Sequence, residues 1–162
     1  MPSFDAMLEP NLVEVRNAVD QTAREMGTRF DFKGSSARIE LQDKALTLWA
    51  DSDFQIGQAM DILLGKLSKR GVDARFLDRS AAIEKIGGDK VKQPLTVKSG
   101  IDTETARAIQ NAVKQSKLKV QAAIQGDTVR ISGAKRDELL AAIALIRQTI
   151  VDAPLSFSNF RE

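Results

Sequence analysis

The order strand, helix, hairpin, helix, strand occurs twice along this chain, and that repeat most narrows the folds open to it. In the first half, residues 3–8 (SFDAML) are a strand candidate that Pro10 and Asn11 end. Asn11 and Glu14 have the spacing of a helix N-terminal cap, and Leu12, Val15, Val19 and Met26 recur at helical spacing, so a helix is predicted over 11–27. The segment RFDFKG (29–34) reads as extended. Residues 37–42 (ARIELQ) and 45–50 (ALTLWA) both alternate and are joined by Asp43-Lys44, a hairpin pattern. Ser52 and Gln55 cap a second helix ending at Gly71, and 72–78 (VDARFLD) reads as a strand.

The second half runs in the same order. Residues 91–98 (VKQPLTVK) alternate, and Asp102 caps a helix carrying Ala106, Ile109 and Val113. The runs 119–125 and 128–132 form a hairpin turned by Gly126-Asp127, a last helix follows, and 155–160 (LSFSNF) is the closing strand. The second helices match in detail: Ile56, Met60, Leu63, Leu67 and Leu139, Ile143, Ile146, Ile150 both step by 4, 3 and 4. Each half is therefore a βαββαβ unit. The predicted fold is α+β, a tandem repeat of two ferredoxin-like domains, each an antiparallel sheet with helices on one face. The small, Gly-containing stretch 79–90 is the natural linker, which sets the expected domains at 1–86 and 87–162.

Composition removes whole classes of chemistry. Among 162 residues there is no Cys and no His. That excludes a thiol nucleophile, a Cys-ligated metal centre and a catalytic triad built on imidazole. No phosphate-loop or dinucleotide-binding glycine motif occurs, and no carboxylate pair stands out as an acid–base site, so no cofactor or metal is expected and the chain reads as a binder rather than an enzyme. The longest apolar run, 139–146 (LLAAIALI), is far short of the ~20 residues that span a bilayer, and MPSFDAMLEP does not read as a secretory signal. A cytoplasmic location without membrane contact is the expectation.

Charge is uneven. Residues 1–82 hold 11 Lys+Arg against 13 Asp+Glu, and residues 83–162 hold 13 against 9. In a tandem arrangement the open sheet face of the second half would present Lys92, Thr96, Lys98, Lys119, Gln121, Ala123, Thr128, Arg130 and Ser132: four cations, no carboxylate. Such a set suits a phosphate-bearing ligand. Lys135 and Arg136, at the start of the last helix, are candidate phosphate contacts or a solvated turn. Arg29, Phe30, Phe32 and Lys33 offer either a stacking and charge wall for a purine or two rings plugging a junction. Trp49 with Arg38, Glu40, Gln42, Thr47 and Arg75 forms a mixed-charge outward face in the first half, and Phe157 and Phe160 should lie on opposite faces of the last strand. The strands 119–125 and 128–132 carry no aromatic residue, which weighs against an aromatic RNA-binding platform.

The start MPSFD, the segment RFDFKG, the run SKLKVQAAIQGDTVRISGAKRDEL (116–139) and the close PLSFSNFRE together resemble the YajQ family of small bacterial cytoplasmic proteins over the whole chain. The resemblance implies two ferredoxin-like domains that exchange their N-terminal strands. It also implies nucleotide binding: a purine nucleotide or cyclic di-GMP as ligand, a transcription regulator as protein partner, and RNA, tRNA included, as an alternative ligand. The residues expected to contact such a ligand, read from the pattern of charges and rings above, are Arg29, Phe30, Phe32, Lys33, Lys119, Gln121, Arg130, Lys135, Arg136 and Arg161. Ala134 and Ser156 depart from the family pattern, where Lys and Gln are usual, and each change removes a donor.

Overall fold

The helix starts are decided locally. Asn11 accepts the Glu14 N–H at 3.2 Å, Ser52 accepts that of Gln55 at 3.2 Å, and Asp102 accepts that of Thr105 at 2.7 Å. These are the three caps the sequence predicts, and each satisfies a backbone donor that a helix start leaves unpaired. They open α1 (Leu12–Thr28), α2 (Asp53–Lys69) and α3 (Thr103–Gln115). The fourth helix, α4 (Arg136–Thr149), starts at Lys135 without a side-chain cap. The structure is a computed structural model and describes all residues, Met1–Glu162.

Nine strands complete the chain: β1 (Ser3–Met7), β2 (Arg38–Gln42), β3 (Ala45–Ala50), β4 (Leu77–Asp78), β5 (Glu84–Ile86), β6 (Lys90–Val97), β7 (Val120–Gln125), β8 (Thr128–Gly133) and β9 (Ser156–Arg161). They form two antiparallel sheets, one in the order β7-β8-β1-β9, the other β2-β3-β6-β4 with β5 also on β6. Four helices and two antiparallel sheets make this an α+β protein with two ferredoxin-like repeats.

The compact units are Pro10–Lys98 and, separately, Met1–Glu9 with Ser99–Glu162. They replace the contiguous halves 1–86 and 87–162, and the ladders give the reason. The place between β8 and β9 is filled by β1, with Phe4 opposite Ile131 and Asp5 opposite Ser158. The place between β3 and β4 is filled by β6, with Leu95 opposite Leu46. The 79–90 stretch is not a linker: it holds β5 and the turn into β6, where Asp89 has φ 60°. The 72–78 strand is shorter than expected, because Ala74–Phe76 form a 3-10 turn that Asp73 caps.

Each unit buries one alternating face of its sheet under its helices. In Pro10–Lys98 the core includes Leu46, Leu48, Ile56, Leu63, Leu67 and Val97; in the other unit it includes Phe4, Ile109, Val129, Ile131 and Ile146. Each such side chain stabilises the fold by about 1.5–3 kcal/mol. The opposite face of each sheet stays open. No helix is long and apolar enough to cross a membrane.

Candidate functional site

The open face of the β7-β8-β1-β9 sheet is set by register. One row across it reads Gln121, Ser132, Ser3, Arg161, and the next reads Ala123, Arg130, Asp5, Ser158. Gln121, Arg130 and Arg161 therefore share the face, as two of them were expected to. Lys92 and Thr96 do not: they belong to β6 in the other sheet. The predicted face without a carboxylate is also corrected, because β1 brings Asp5 into its centre.

Asp5 is only 6% exposed. Arg130 Nε donates to its Oδ1 at 3.1 Å, Asn159 Nδ2 donates to its Oδ2 at 3.0 Å, and an Arg161 guanidinium nitrogen lies 3.7 Å from Oδ2. Burial pushes this carboxyl upward, but the hydrogen bonds from Asn159 and Arg130 and the charges of Arg130 and Arg161 outweigh it and hold it below the ordinary carboxylate range. The two guanidiniums are thus oriented from beneath while remaining partly open to solvent. No group of three carboxylates stands close enough to hold a metal ion.

At one end of this sheet a cleft of about 110 Å³ opens, with Ser3, Arg136, Phe160, Arg161 and Glu162 in its lining. Arg136 is the first residue of α4, is exposed and forms no ion pair. Phe160 was expected on the face opposite Phe157. Instead both rings pack on Phe4, at 5.8 and 5.6 Å between centroids. The cause is a bulge: Asn159 has φ 57°, and the β1–β9 register shifts between Ser3 and Asp5, which returns Phe160 to the side of Phe157. One side of the Phe160 ring rests on Phe4 and the residue stays 57% exposed.

The other candidates divide. Lys135 is exposed at the α4 start, and Lys119 is exposed just before β7, where its backbone N–H donates to Glu138. Arg29, Phe30, Phe32 and Lys33 lie in the Pro10–Lys98 unit, and their segment is not extended. Phe30–Phe32 form a 3-10 turn, in which residues two apart point about 240° apart. Phe32 consequently packs into the core at 4% exposure, whereas Phe30 is 90% exposed, so the expected wall of two rings does not form. Arg29 is neutralised by Asp31 at 2.7 Å and Glu25 at 3.3 Å. Lys33 is exposed. Trp49 does face outward, with the Arg38 guanidinium 3.9 Å over its ring.

Sequence reasoning missed Asp5, Asn159 and Phe160. A lone acid between Phe4 and Ala6 in a strand is a usable signal for a paired carboxylate, but its partners lie more than a hundred residues away. Asn159, a residue that tolerates positive φ, was the readable hint of the bulge.

An α+β fold whose open sheet face carries Arg130 and Arg161, with a cleft at the end of that sheet, offers forked donors to an anionic ligand. The family of YajQ-like nucleotide-binding proteins matches residues 2–161, and this chain belongs to that family.

Proposed function

We propose that this protein binds a purine nucleotide without transforming it, with a cyclic dinucleotide such as cyclic di-GMP as the ligand, and acts in the cytoplasm through a protein partner such as a transcription regulator. The observation that carries the reading is the meeting of Arg136, Arg161 and the exposed Phe160 ring at one cleft. Two guanidiniums supply forked donors for phosphate oxygens, and the ring supplies a flat apolar surface for a purine. The cleft is well below the ~300–1,000 Å³ of a site that engulfs its ligand, so it takes a phosphate group while the base lies outside on Phe160. Arg130, in the next row of the same face, shares the Asp5 carboxylate with Arg161, so the two guanidiniums together outweigh its single negative charge.

Titration calorimetry with cyclic di-GMP, GTP and ATP tests this on the wild type and on Arg136→Ala. Arg136 has no ion-pair partner, so its removal leaves the fold alone. Loss of one charged hydrogen bond of about 1.5–3 kcal/mol weakens binding roughly tenfold or more. Equal affinity of the two proteins, or no binding of any of the three ligands, sinks the reading. A second reading, RNA binding, rests on the polar row Gln121, Ser132, Ser3 and Arg161 across an open sheet. It demands affinity for tRNA that falls with salt at a log–log slope of about −0.7 per phosphate contacted.

A further inference from the structure

β7 is an edge strand, paired with β8 on one side only. Proteins usually guard such edges with charge, proline or a bulge. Val120–Gln125 (VQAAIQ) has none of these: it carries no charged residue and no proline, and it pairs with β8 without a register break. Ile124, on the helix-covered side, is 41% exposed. Beside this edge a cleft of about 400 Å³ opens between α3 and β7, lined in part by Gln110, Val113, Val120 and Ala122. The edge backbone shows its direction, because Gln110 Nε2 on α3 donates to the Ala122 carbonyl at 3.2 Å. Backbone groups alternate in direction along a strand, so those of Val120 and Ile124 point outward too.

We propose that β7 pairs antiparallel with β7 of a second copy of this chain, about a twofold axis at Ala123. In that register Ala123 meets itself, Ile124 meets Ala122, and Val120 meets Gly126. Large side chains face small ones on the helix side, where the cleft leaves Ile124 room. On the open side Gln121 meets Gln125. Lys119 and Asp127, just outside the strand, come opposite each other at both ends, so charge complementarity pins the register while the strand between is uncharged. A slip of one residue would set helix-side groups against open-side groups. The contact is isologous and closes on itself, giving one eight-stranded sheet rather than a fibre.

Sedimentation equilibrium of the wild type reads twice the protomer mass, and Ile124→Lys, which installs the missing edge charge, reads one protomer with an unchanged circular dichroism spectrum. The chain has no cysteine, so Ala123→Cys carries a single thiol. Across the proposed axis Ala123 is a non-hydrogen-bonded pair with Cα atoms about 4.5 Å apart, within disulfide reach. Under mild oxidation it forms a covalent dimer much faster than Gln148→Cys, a control thiol on the exposed side of α4. A wild type that stays monomeric at sub-millimolar concentration overturns the proposal and leaves the edge to an extended peptide of another protein. A dimer that Ile124→Lys does not disrupt and Ala123→Cys does not trap uses another surface, which overturns it equally.

Discussion

Arg130 on β8 donates its Nε–H to Asp5 on β1 at 3.1 Å, across 125 residues of sequence. The pair fastens the first strand to a hairpin that forms late in the chain, and it sets the direction of a guanidinium on the open sheet face. Replacing Asp5 by Ala removes the acceptor for Arg130 and Asn159 at once. Both partners are partly open to water and recover some solvation, so the expected loss is about 1–3 kcal/mol, read as a lower urea midpoint at unchanged m-value. An unchanged midpoint would show that the pair adds nothing to stability.

Acid should destabilise the protein earlier than an unpaired surface would suggest. Asp51 is held down to about 2 by the Lys90 ammonium at 2.8 Å, with Ser36 adding hydrogen bonds, and Asp5 is also held low. A carboxyl whose folded pKa lies below its unfolded value contributes stability that is fully present above the unfolded value near 4. That stability is lost as pH falls from about 4 toward about 2. Denaturant titrations at stepped pH should show this decline, and Asp51→Asn should flatten it. A variant with the same acid limb as the wild type refutes the assignment to Asp51.

Phe30 and Phe32 should separate cleanly. Phe32→Ala opens the core and costs about 3–5 kcal/mol. Phe30→Ala, at a surface position, stays within about 0.5 kcal/mol of the wild type. If Phe30→Ala weakens nucleotide binding while leaving the thermal midpoint alone, the Pro10–Lys98 unit takes part in ligand recognition; calorimetry with the same nucleotide panel decides it.

Gly133 should resist enlargement. A Cβ built there would lie 2.9 Å from Val120 Cγ1 and 3.1 Å from the Lys119 carbonyl oxygen. The carbonyl belongs to the backbone and cannot rotate away, so Gly133→Ala is expected to cost about 1–3 kcal/mol. Equal thermal midpoints would mean that β7 moves aside freely.

Some of the site was legible in the chain. Arg130 and Gln121 were placed on an open face by alternation alone, and Arg136 at a helix start by the run that follows it. Period two puts Phe32 beside Phe30 on one face, but the backbone makes a 3-10 turn there and sends the two rings apart. Strict alternation puts Phe160 opposite Phe157, but one residue in the left-handed region, Asn159, resets the alternation of β9. Asp5 could be seen as an acid in a strand, but not as the anchor of two arginines.

The sequence by itself determined the elements: caps at Asn11, Ser52 and Asp102, two hairpins, four helices and their apolar stripes all follow from contacts within a few residues. Only the tertiary structure decided which sheet each strand enters. β1 and β6 alternate in the same way and either could fill the central place of either sheet as far as periodicity goes. Their ladders join residues far apart in the chain, Phe4 to Ile131 and Leu95 to Leu46, and depend on complementary packing that no local pattern encodes. The same choice put Asp5 among the arginines and made the candidate site what it is.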